Sequence, residues 1–105
     1  LAGVRARAAT LARLMGERLA TLDAVADVRL CGLMGGVELA PPSEGLRWGR
    51  RVCAAAVRRG VLLRPLGDVV VLMPPLTVTD AEVGRIVDTL AAAVGEVAGE
   101  DGVGR

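Results

Sequence analysis

Gly60-Val61-Leu62-Leu63-Arg64-Pro65-Leu66-Gly67-Asp68-Val69-Val70-Val71-Leu72-Met73-Pro74-Pro75 is the stretch whose reading decides the fold. Two apolar runs, Val61–Leu63 and Val69–Met73, flank a short polar turn, the pattern of a β-hairpin. Arg64 closes the first run. Pro65 fixes one backbone angle directly after it, and Gly67 lets the chain turn. Pro74-Pro75 cannot donate to a ladder and ends the second strand. Such a hairpin presents a single guanidinium at a defined place. A planar guanidinium binds a carboxylate through two parallel hydrogen bonds. The competing reading is a surface pair of Arg64 with Asp68, worth little.

The segments on either side read as support. Downstream, Thr79-Asp80-Ala81-Glu82 is a capping box, with Val78 and Val83 placed as a hydrophobic staple. Val83, Ile86, Val87, Leu90, Val94 and Val97 continue an apolar helical stripe, and the chain turns glycine-rich from Ala98. Upstream, Gly45–Arg59 reads as a helix, with Ser43 as its N-cap and Arg58-Arg59-Gly60 as its stop. Its arginines read as solvent-facing, a site for a polyanion being the sharper alternative. Before it, Val28–Cys31 and Val37–Leu39 read as strands around Gly32, Gly35 and Gly36. A phosphate cradle would need a helix to start straight after those glycines, and the pattern continues as strand. A bulge, or backbone packed closely on a neighbour, is the reading that fits. At the start, Val4, Ala8, Leu11, Met15, Leu19 and Leu22 form one stripe of a long helix spanning Leu1–Leu22.

The predicted order is helix, two strands, helix, two strands, helix. Short strands close in sequence pair antiparallel. The expected fold is therefore α+β: a two-layer sandwich of an antiparallel sheet of about four strands with three helices mainly on one face. Residues 1–97 form one domain and residues 98–105 a flexible tail. The 105 residues suffice for a small domain that buries roughly two-thirds of its unfolded surface.

Composition excludes much chemistry. The sequence has no histidine, no tyrosine and no lysine, its 13 basic residues all being arginine. Most general bases and every nucleophilic side-chain amine are thereby absent. A net charge of +1 argues against strong nucleic-acid binding. No apolar run approaches the ~20 residues that span a bilayer. Cys31 and Cys53 lack metal-ligand spacing and read as small buried apolar residues, fitting a reducing compartment. No catalytic or metal-ligating residue is therefore proposed. Trp48 is the one aromatic residue. Because the chain begins with Leu1 inside a helical pattern, it reads as part of something longer.

The hairpin, with Arg64-Pro65-Leu66-Gly67 followed by Leu72-Met73-Pro74-Pro75, resembles the C-terminal small domain of class III pyridoxal-phosphate aminotransferases. Val28-Arg29-Leu30-Cys31-Gly32-Leu33-Met34-Gly35-Gly36-Val37-Glu38-Leu39 is similar to that family's strand–glycine–strand segment, and the capped helix falls where the family has its last helix. The likeness runs from Val4 to Val97. It is strongest to the branch that moves an amino group from adenosylmethionine to 8-amino-7-oxononanoate in biotin biosynthesis.

The resemblance implies a cytoplasmic, homodimeric transaminase whose small domain closes over pyridoxal phosphate held by a larger domain of the same chain. Arg64 then binds the carboxylate of the keto-acid substrate, with Pro65 and Leu66 beside it. The position of Leu66 is commonly aromatic in the family, and Gly36 stands where a larger apolar residue is usual. With no lysine to hold pyridoxal phosphate and no recognisable acidic partner for its pyridine nitrogen, this chain is expected to be inactive by itself. The alternatives are an ornithine- or 4-aminobutyrate-type transaminase, a non-catalytic ligand-binding module that uses Arg64 without a cofactor, and a dimerisation domain with Leu1–Leu22 as its contact helix.

Overall fold

The computed structural model describes residues 2–75 and 77–104. Helix α1 (Ala2–Arg18) leads to strands β1 (Val25–Cys31) and β2 (Met34–Leu39). Helix α2 (Trp48–Arg58), strands β3 (Arg64–Leu66) and β4 (Val69–Leu72) and helix α3 (Asp80–Glu100) follow. The four strands form one antiparallel sheet in the order β1-β2-β4-β3. This is the predicted α+β architecture. Val37, Leu39, Val70 and Leu72 face the helices and are buried with Leu11, Met15, Val52, Val83, Val87 and Leu90.

The α1 stripe is buried within the molecule. Leu11, Met15 and Leu19 are fully covered, while Val4, Ala8 and Leu22 are half-buried. α1 lies against α3, and Arg7–Asp80 (3.5 Å) and Arg18–Asp88 (2.5 Å) tie the two helices across their exposed sides. The helix thus spends its apolar stripe on the core of its own molecule. It ends at Arg18, short of Leu22, and the expected start at Leu1 lies outside the described residues.

Both first-sheet strands start three residues earlier than the apolar pattern suggests, at Val25 and Met34. Gly32-Leu33 is a two-residue turn between paired Cys31 and Met34. Gly32 takes φ +59°, as the tight turns that match sheet twist require. Close packing is confirmed at Gly35, where a Cβ would stand 3.1 Å from Met15 Sδ. The bulge lies elsewhere, in the register shift between Val25 and Asp27.

The third strand is displaced from its expected place. Val61–Leu63 is not strand; β3 is Arg64–Leu66. The helix stop explains the shift. Gly60 at φ +86° closes α2, with Gly60 N–H donating to the Val57 carbonyl and Val61 N–H to the Ala56 carbonyl, both at 2.9 Å. Val61 then drops into the core. Residues 61–63 connect the helix end to the sheet edge, and the ladder opens only at Arg64. The turn shrinks to Gly67-Asp68, and β4 ends at Leu72, one residue before Met73.

Helix α2 starts at Trp48, not at Gly45, and Ser43 does not cap it. Arg47 takes the N-cap position in a left-handed conformation (φ 55°, ψ 43°) with no side-chain cap. Trp48 is fully buried, and its indole N–H donates to Asp101 Oδ2 at 2.7 Å. Sinking that ring fixes where the helix begins, at the expense of the cap. Cys53 is buried as expected. Cys31 is exposed, because strand alternation turns it to the uncovered side of the sheet.

The capping box at α3 is present: Glu82 N–H donates to Thr79 Oγ1 (3.1 Å) and Thr79 N–H to Glu82 Oε1 (2.9 Å). Replacing Thr79 by alanine should lower stability by about 1 kcal/mol, read from the denaturant midpoint at unchanged m-value. The helix passes the expected end at Val97 and runs to Glu100, with Ala98 in the core. Beyond it, Arg51 donates to Asp101 Oδ2 at 2.8 Å and to Glu100 Oε1 at 3.0 Å. Residues 98–101 thus belong to the packed body rather than to the tail.

These bonds set an acid sensitivity. The Asp101 carboxyl is held below its usual value, first by the Arg51 hydrogen bond and then by that of Trp48. Arg59 and Arg58 lower Glu96 in the same way. A carboxyl lowered in the folded state contributes stability above its unfolded pKa and loses it as pH falls through the folded one. Stability should therefore decline below about pH 4, and Asp101→Asn should flatten that decline in pH-dependent melts.

Among the described residues no helix is long and apolar enough to cross a membrane, and no cluster of side chains could hold a metal ion.

Candidate functional site

Strand pairing sorts the sheet's two faces. Arg64 lies opposite Val71, Val71 opposite Gly36, and Gly36 opposite Arg29. Leu66, Val69, Glu38 and Asp27 form the next row on the same side. None of these residues is buried. The helices cover the other face, so this side of the sheet is uncovered. Within the sheet it carries an apolar floor, Leu66, Val69, Val71 and Met34, between two arginines at its opposite edges.

The two arginines differ in kind. Arg29 Nε donates to Asp27 Oδ2 and its Nη2 to Glu38 Oε1, both at 2.9 Å. That guanidinium is already satisfied, and Asp27 holds it above its ordinary pKa. Arg64 has no ion pair or side-chain hydrogen bond among the described residues, so the pair with Asp68 is not formed. Most helix arginines (Arg7, Arg13, Arg18, Arg51 and Arg58), and Arg59 just past the end of α2, are paired with carboxylates. Arg64 is the unpaired cation on the uncovered face. Arg29 stands three strands away, roughly 14 Å at normal strand spacing.

The backbone restrains Arg64 on both sides. It starts the edge strand, and Pro65 follows with its fixed φ. Leu66 is two residues on, on the same face, and is 63% exposed. Arg64, Pro65 and Leu66 are thus brought together at one corner, all exposed. Pro65 turns to the helix side, where it lines a cleft of about 440 Å³ with Arg47, Arg50 and Asp68. A second groove of about 240 Å³, formed by Leu62, Leu63, Met73, Pro74 and Arg85 among others, adjoins β3. Arg64 lines neither groove; it stands on the open sheet.

Two residues adjoin this corner, and one of them, Val71, was not singled out from sequence. Val71 sits directly across from Arg64, and the signal was available: a two-residue Gly-Asp turn puts Arg64 and Leu66 in register with Val71 and Val69. Gly36, next in the row, leaves a dip; a Cβ there would meet Val69 Cγ1 at an ordinary 3.6 Å. The glycines Gly32, Gly35 and Gly36 form no anion cradle, since one is a hairpin turn and two are strand residues.

Comparison with known proteins gives this arrangement its relatives. Residues 2–94 match the family model for aminotransferase class III. An adenosylmethionine-8-amino-7-oxononanoate aminotransferase of Nitratidesulfovibrio vulgaris is 46% identical, over 74% of this chain and 17% of that protein. One of the same name from Methanocaldococcus jannaschii is 36% identical, over 76% of this chain and 19% of that protein. A crystal structure of the Methanocaldococcus jannaschii aminotransferase of that name superposes with a TM-score of 0.82 at 31% identity, covering 89% of this chain and 23% of that one. A PMP-bound aminotransferase structure from Vibrio fluvialis gives 0.86 at 27% identity, covering 93% and 23%. The chain thus spans about a fifth of the length of the curated relatives it matches. Fold, matched residues and identity agree that this chain belongs to the class III aminotransferase family.

Proposed function

We propose that this chain is the small domain of a longer, homodimeric, pyridoxal-phosphate-dependent transaminase, and that Arg64 binds the carboxylate of its keto-acid substrate. The substrate pair is 8-amino-7-oxononanoate as acceptor and adenosylmethionine as amino donor, the pair in the names of the Nitratidesulfovibrio vulgaris and Methanocaldococcus jannaschii relatives. One observation carries the assignment: Arg64 is unpaired on the one uncovered face of the sheet, while the other arginine of that face is saturated by Asp27 and Glu38.

The residues present do not fit pyridoxal phosphate itself. The chain has no lysine for the aldehyde, and its glycines serve a hairpin and a close contact with Met15. The cofactor is therefore assigned to the remaining polypeptide, and the domain alone is expected to be inactive. What this chain contributes is recognition. Arg64 offers two parallel N–H donors to the carboxylate, Pro65 limits the directions that fork can take, and Leu66 with Val71 walls the aliphatic chain. A carboxylate seated there gains most when water is excluded by the rest of the enzyme.

The test is the KM for the keto acid in Arg64→Ala of the full-length enzyme. A large rise supports the assignment, and an unaltered KM removes it. Running the same variant with ornithine and 4-aminobutyrate as donors decides between the branches of the family.

A further inference from the structure

The β3–β4 turn is gripped from two sides. The Asp68 carbonyl accepts a hydrogen bond from Leu39 N–H at 2.8 Å. On the helix side, Gly49 sits buried in the first turn of α2. A Cβ at Gly49 would stand 2.0 Å from the Gly67 carbonyl oxygen, 3.2 Å from its carbon and 3.6 Å from Asp68 Cα. All three are backbone atoms, which cannot swing aside as a side-chain tip does. Helix and turn are therefore in backbone contact.

That contact matters because little else holds β3. The strand has three residues, all exposed, and a single partner strand. Only Arg64 and Leu66 are placed to bond to that partner, because the backbone of Pro65 between them faces the open edge. The turn is the fixed point of this hairpin, and α2 is what it rests on. We propose that Gly49 is a positioning residue for Arg64, its missing side chain setting the height of the β3–β4 turn on α2 and hence where the guanidinium meets the substrate carboxylate. This deepens the role given to Arg64 and rests on it.

A Cβ 2.0 Å from a backbone oxygen is far inside any real contact, so a side chain at Gly49 must push the turn and the first turn of α2 apart by about 1 Å. The turn begins three residues after Arg64, in the same rigid hairpin. Misplacing a binding group by about 1 Å can cost as much as a hundredfold. The role given to Arg64 is toward the keto acid, so the effect should fall on that substrate.

The experiment compares Gly49→Ala with Gly16→Ala in the full-length enzyme. Gly16 is an exposed helix residue with open space around it. For Gly49→Ala, KM for the keto acid should rise about ten- to hundredfold, with kcat and the KM for the amino donor within about twofold. Calorimetric binding of the keto acid should weaken by the same factor, and Gly16→Ala should match the parent. A loss of kcat alone, with KM unmoved, is what plain destabilisation gives and overturns the proposal. If Gly49→Ala does not fold, native-state hydrogen exchange of the unaltered protein decides. The β3 and β4 amides should open in one unit with the first turns of α2; a hairpin that opens while α2 stays closed overturns the clamp. Arg64→Ala run alongside separates the failures. If it raises KM and Gly49→Ala does not, only the clamp is wrong; if it leaves KM unchanged, the role of Arg64 is wrong first.

Discussion

Trp48→Ala should cost about 3–5 kcal/mol of stability, a large share of the about 5–15 kcal/mol that keeps a domain folded. The ring is the largest fully buried side chain. Its indole N–H is matched by Asp101, and Arg51 completes the same carboxylate. Removing the ring leaves a cavity where α2, α3 and the post-helix segment meet, and strips one donor from Asp101. The pattern to look for in denaturant melts is a large fall in midpoint together with a partial weakening of the acid-side dependence assigned to Asp101, whose first partner, Arg51, remains. Trp48→Phe separates the two parts. It restores most of the volume and should recover most of the stability, but not the hydrogen bond. A loss below 1 kcal/mol for Trp48→Ala would mean that the ring is not the keystone described here.

Arg64→Ala should raise the keto-acid KM of the full-length enzyme about ten- to hundredfold. Charge-assisted hydrogen bonds are worth about 1.5–3 kcal/mol, and each 1.4 kcal/mol is tenfold. Folding should barely change, because Arg64 is exposed and no described residue pairs with it. Arg64→Lys sharpens the point: charge is kept but the two-pronged fork is lost, so a KM between parent and alanine variant is expected. The amino donor's KM should not follow. Equal changes for both substrates would point to disturbance of the whole site instead of one carboxylate contact.

How far the sequence could be read varied by element, for physical reasons. The α3 start was fully legible because a capping box is local: Thr79 and Glu82 satisfy each other's amides, whatever surrounds them. The α2 stop at Gly60 was legible on the same ground. The α2 start was not, because Ser43 has the right chemistry and the wrong tertiary setting. Burial of Trp48 against Asp101, more than fifty positions away, overrules it. β3 was misplaced because Val61–Leu63 is apolar for two different reasons, core packing at Val61 and surface exposure at Leu62 (88% exposed). Periodicity cannot separate those. Of the candidate site, the placement of Arg64 and Pro65 at a turn was legible through proline and turn chemistry, while Leu66 entered only through the family resemblance. Gly49 was not: a helix glycine that leaves room for a carbonyl looks, in sequence, like any other helix glycine.

The strand that carries Arg64 has a further consequence for the sheet's outer border. An unpaired border strand invites a foreign chain to add itself, which is how soluble proteins begin to form fibres. Here the border is three residues long and has an imino acid at its centre, so it offers an incoming strand too few amide hydrogens to build on. The residue that aims the guanidinium also stops the sheet from growing on that side.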